Sequence, residues 1–174
     1  MDFMNLVSEL IDLRSFSNLW YWIALAVAWS RASHRILGVP WDMVQRARRS
    51  GGQAQHDFEA VLRAHLNHIG NVPDAAGLAA IAAGSALLTS LAILGFGHGV
   101  ELCQALFLIA FPMSIVAVLS LRMARRIDAS GIGGEALHRA LIWHRVRVQA
   151  IGLVSILVTA MWGMLQNLNI SVLH

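Results

Sequence analysis

A chain of 174 residues with a single cysteine, 57% apolar and only 13% charged, excludes an internal disulfide and any cysteine-built cluster or zinc site within one copy. Its entire basic inventory is thirteen arginines without one lysine, for a net charge of +3. Twelve of these fall in two short segments flanked by apolar runs, a membrane-topology pattern that gives no separate reason to expect a nucleic-acid partner.

The chain opens with residues 1–14, where Asp2, Glu9 and Asp12 oppose the positive start of a cleaved signal peptide, so the segment is expected to be retained. Phe3, Leu6, Leu10 and Leu13 recur at helical spacing and predict a short amphipathic helix on the outer membrane surface. The first apolar run follows. Residues 15–30 cover only about 24 Å at the helical rise, but Arg31, His34 and Arg35 can snorkel to the head groups, which extends the expected first span over residues 15–39. Trp20, Tyr21 and Trp22 at its outer end, and Trp41 beyond its inner end, are interfacial aromatics.

Residues 40–74 form the first basic loop, with Arg46, Arg48 and Arg49 on a short helix that starts at Trp41 and is expected to lie on inner lipid. A break at Ser50, Gly51 and Gly52 separates it from a second helix over residues 55–69. There Phe58, Val61, Leu62, His65 and Ile69 share the expected apolar stripe. Pro73 and Asp74, the latter as N-cap, mark entry to the second span.

The remaining spans are expected at residues 75–97, 102–121 and 148–170, each free of charge and long enough for a hydrocarbon core of about 30 Å. Residues 98–101 make a tight outer turn, residues 122–147 a second basic loop, and residues 171–174 an outer tail. Ala76, Ala80 and Gly84 in the second span, and Ser155, Thr159 and Gly163 in the fourth, form rows of small residues that are expected to face each other. Pro112 removes one helical hydrogen bond from the third span. Positive segments stay on the cytoplasmic side. The fold expected is therefore an all-α membrane protein, an up-down bundle of four transmembrane helices with short amphipathic helices in its cytoplasmic loops. Both termini are expected in the periplasm of a bacterial inner membrane.

Chemical motifs are sparse. No phosphate-binding glycine loop, Gly-x-Ser-x-Gly elbow, Cys-x-x-Cys or His-Glu-x-x-His occurs. His56, Glu59, His65 and His68 lie on one expected helix as weak metal candidates, and the packed or solvated reading is preferred. His98, Glu101 and Gln104 at the outer turn are weak candidates for a quinone headgroup or a proton. His138 and His144 read as part of a basic inner-surface helix, and Cys103 as a buried small apolar residue. Intramembrane ionisable residues are missing from the charge-free runs, which disfavours a charge-coupled transporter. No catalytic residue and no cofactor are expected. Arg46, Arg48, Arg49, Arg122, Arg125, Arg126, Arg145 and Arg147 are the expected contacts to lipid or a soluble partner.

The strings RSFSNLWYWIALAVAWS, ASHRILGVPWDMV, GGQAQ, ELCQALFLIAFPMS and TAMWGMLQNL, in that order, resemble a family of small polytopic membrane proteins of alphaproteobacteria. Its members are labelled as a component of the SufBCD complex, the iron–sulfur cluster assembly scaffold. The likeness covers most of the chain apart from residues 57–88 and includes no catalytic signature. It implies a membrane tether or accessory partner of that machinery, with no ligand residues to carry over. The function expected is a non-catalytic interaction or scaffold protein, with a homo-oligomer allowed. Competing expectations are an accessory subunit of a membrane redox or quinone complex, and a small oligomeric channel or carrier.

Overall fold

The computed structural model describes residues 19–172. The amphipathic helix expected over residues 1–14, the start of the first apolar run and the end of the outer tail lie outside them. Six helices run through the described residues: α1 Leu19–His34, α2 Trp41–Ser50, α3 Gly52–Gly70, α4 Asp74–Ala92, α5 Glu101–Ser130 and α6 Gly134–Val172. Among the described residues, three helical stretches are long and apolar enough to cross a membrane: Ala75–Gly97, Glu101–Ser130 and Gly134–Leu168. The chain is thus a helical protein of membrane-compatible composition.

The first helix does not run on to residue 39. It stops at His34, and two short antiparallel strands follow, β1 Arg35–Ile36 and β2 Val39–Pro40, with Arg35 opposite Pro40 and Ile36 opposite Val39. Leu37 and Gly38 make the turn with φ of +50° and +78°, the signs of a two-residue hairpin turn. A left-handed leucine costs roughly 1–2 kcal/mol, and burial of the Leu37 side chain in the core offsets it. Gly38 is obligatory for a second reason. A Cβ there would fall on the His65 ring; His65 is exposed on α3 and does not belong to its buried stripe. The buried face of α3 is instead Phe58, Leu62 and Leu66, one residue per turn.

The hairpin, α2, α3 and the charged ends of α5 and α6 enclose one hydrophobic core: Ile36, Leu37, Val39, Val44, Ala47, Phe58, Leu62, Leu66, Ala124, Ile127, Leu137 and Leu141. Val44 and Ala47 are the apolar side of α2 and are buried in it. Protein, not lipid, therefore covers the face that was expected to rest on the membrane. Residues 122–147 likewise contain no free-standing amphipathic helix, because α5 and α6 each continue out of their apolar runs and meet at a turn in which Gly131 (φ +59°) caps α5.

One face of α6 is buried along nearly its whole length: Leu137, Leu141, His144, Val148, Gly152, Ser155, Thr159 and Gly163, spaced by three or four. Side chains are large at the arginine end and small at the other. Small residues let α1 and α5 approach: a Cβ at Gly152 would lie 2.7 Å from the Trp29 ring. Pro112 has no N–H to give the Leu108 carbonyl, and the Ser155 hydroxyl donates to that carbonyl at 3.4 Å. The two small-residue rows do not face each other. The α6 row is taken up by α1 and α5, while Ala76 and Ala80 on α4 are exposed and a Cβ at Gly84 would meet nothing within 4 Å.

Candidate functional site

The arginines expected to meet lipid or a partner gather around the core at one end of the molecule. Arg46, Arg48 and Arg49 on α2, Arg122, Arg125 and Arg126 on α5, and Arg147 on α6 are all exposed, and Arg139, outside the expected set, is exposed beside them. Arg48 Nε lies 3.6 Å from Glu135 Oε1, an exposed pair of little energetic weight. Arg145 differs from the rest, because its guanidinium lies 4.3 Å from the centroid of the Trp41 ring, a contact of about 0.5–2 kcal/mol.

Two hollows open between these groups. The first, about 360 Å³, lies between α5 and α6 and is lined by Arg126, Arg139 and Arg147, with Trp143 and apolar side chains including Met123 and Ile132. No acidic side chain lines it. Arg147 immediately precedes the charge-free run of α6, so this cleft sits where that helix changes from charged to apolar.

The second hollow, about 320 Å³, is lined by Trp41, Val44, Gln45, Arg48, Arg49, His138 and Ile142. His138 is buried against expectation, with its ring stacked on Phe58 at 5.4 Å. A polar relay fixes it. Gln55 Nε2 donates to Glu59 Oε1 at 2.7 Å, which turns Gln55 Oε1 toward His138 Nε2 at 2.9 Å. His138 Nε2 must then carry the hydrogen, because an amide oxygen only accepts. His138 Nδ1, Trp41 Nε1 and Arg145 Nε are buried without a hydrogen-bond partner among the described residues. Each such group left dry costs about 1–3 kcal/mol. His144, the other histidine of this helix, is also buried and is partnered by the Ser120 hydroxyl at 3.1 Å.

The weak metal candidates are not assembled. His56, His65 and His68 are exposed, Glu59 is engaged by Gln55 and lies 3.8 Å from Arg63, and no group of three or more potential ligands comes together among the described residues. At the other end of the molecule, Gln104 is buried and both polar atoms of its side-chain amide are engaged. Nε2 donates to the Gly95 carbonyl at 2.8 Å, while Oε1 accepts from Trp162 Nε1 at 3.0 Å and Gln166 Nε2 at 2.8 Å. That network ties α5 and α6 to the single π turn Ile93–Gly97 that ends α4. Gly95 is required there, since a Cβ would lie 2.9 Å from the Gln104 backbone nitrogen. His98 Nδ1 lies 3.3 Å from the Ile93 carbonyl, so His98 and Gln104 of the quinone candidates are both engaged by the π turn. Cys103 beside it is half-buried.

The class defined by these features is a helical protein with, among the described residues, three membrane-length apolar helices and a folded, arginine-bearing end. Compared with protein-family models, curated proteins and solved structures, the chain matches none.

Proposed function

We propose that this chain is a non-catalytic scaffold of a bacterial inner membrane that crosses it four times, with both termini outside, and docks acidic lipid and a soluble partner on its cytoplasmic arginine end. One observation carries the reading: Arg126, Arg139 and Arg147 converge on a cleft without an acidic neighbour, beside the exposed Trp143 and next to the apolar run of α6. Guanidinium groups at that depth suit anionic head groups, and an interfacial tryptophan suits the same boundary. The exposed arginines of α2 extend the surface toward the cytosol. The resemblance drawn from the sequence makes the SufBCD machinery the first partner to test.

The test joins orientation to binding. Protease shaving of spheroplasts should leave the loops at Gly51 and Gly133 uncut, and cutting at either from the outside removes the proposal. Replacing Arg126, Arg139 and Arg147 by Gln should reduce co-purification of both phosphatidylglycerol and cytosolic proteins at least several-fold. Unchanged recovery of both would assign those arginines to orientation alone and overturn the docking role.

A further inference from the structure

We infer that the hollow between α2 and α6 is a binding site for a phosphate-bearing anion, held by Trp41, Arg48, Arg49 and His138. The ligand class follows from the groups that line it. Trp41 Nε1 is a donor only, and it is buried without an acceptor among the described residues. Arg48 and Arg49 add guanidinium donors at the same hollow, and guanidinium geometry suits tetrahedral oxyanions. Arg145, stacked on the Trp41 ring behind the lining, adds positive charge.

His138 refines the assignment. It is 97% buried by the complement of its 3% exposure, and the relay through Gln55 to Glu59 places its hydrogen on Nε2. In the neutral ring Nδ1 is therefore an acceptor, and in the protonated ring a donor. An inorganic phosphate ion carries P–O–H as well as acceptor oxygens and so satisfies this nitrogen in either state, whereas a phosphodiester head group, which has acceptor oxygens only, meets it when the ring is protonated. Of the two arginines that line the hollow, Arg48 lies against Glu135, and Arg49 makes no ion pair among the described residues. The site is distinct from the cleft proposed for docking. It depends on the membrane reading only for the source of its phosphate, which is either a lipid head group or free phosphate.

The full chain in phosphatidylcholine nanodiscs, with nitrogen-15 labelled indoles, tests this through the Trp41 side-chain N–H resonance, assigned by Trp41→Phe. Titration with inorganic phosphate should move that signal saturably, whereas chloride at matched ionic strength leaves it in place. If free phosphate has no effect but discs containing phosphatidylglycerol displace the signal, the lipid head group is the source. His138→Asn risks the core, so the primary variant is Arg48→Gln with Arg49→Gln, both exposed. It should weaken the response at least five-fold while the Trp162 indole, held by Gln104, stays where it is. A Trp41 signal identical in all three conditions, a shift that chloride reproduces, or a response that survives in the double variant would each overturn the assignment. None of these results depends on which side of the membrane the site faces, so loss of the topology and loss of the site are distinguishable.

Discussion

The two ends of this molecule use apolar side chains in opposite ways. At the arginine end they point inward, and Phe58, Val39 and Leu141 are fully buried under a charged exterior. Along the apolar runs they point outward: Leu78 and Ile81 on α4, and Leu153, Leu157 and Met161 on α6, are exposed, while the buried face of α6 beyond Val148 is glycine, serine and threonine. Water drives the first arrangement, because burying apolar area is favourable only against a polar solvent. In lipid that drive is missing, and close approach of backbones decides which faces meet. A single helix, α6, obeys both rules in turn.

The contrast is broken most severely by Phe58→Ala. Truncating a fully buried aromatic should cost about 3–5 kcal/mol, and thermal unfolding followed in detergent should show the loss, together with exposure of the arginine end to limited proteolysis. Retained melting behaviour would mean that this end is not a solvent-driven core. Gly152→Val probes the other regime. The added side chain must displace the Trp29 ring, and overpacking of about 1–3 kcal/mol is expected, read as a lower melting temperature with the arginine end still protease-resistant. Leu153→Ala sharpens the comparison from the weak side, since Leu153 is 71% exposed. Its effect should stay within about 0.5 kcal/mol, and a core-sized loss there would place protein, not lipid, against that face of α6.

Much of this division is legible in the sequence. Charge-free length and arginine clustering mark the apolar helices and the polar end, and the spacing of Phe58, Leu62 and Leu66 is that of one helix face. The hairpin at Arg35–Pro40 is not, because Leu37 adopts a backbone that leucine disfavours and only the assembled core makes tolerable. Gly38 two residues before Pro40 was the available turn signal. The polar contacts at the two ends join residues far apart in the chain: His138 meets Gln55 across 83 positions at the site, and Gln104 meets Gln166 across 62 at the opposite end. Local periodicity carries no information about such pairings. The burial of His144 did leave a trace, since it stands in phase with Leu137, Leu141 and Val148. A histidine in step with large aliphatic neighbours belongs to the same face as they do.

The continuity of α6 has a mechanical corollary. Its 39 residues run without a proline for roughly 58 Å at the helical rise, with His138 near one end and Trp162 and Gln166 near the other. A shaft of that kind, gripped at both extremities by directional hydrogen bonds, resists twisting about its own axis. A torque delivered where His138 is held reaches the far grip at Gln104 through an unbroken ladder of backbone hydrogen bonds.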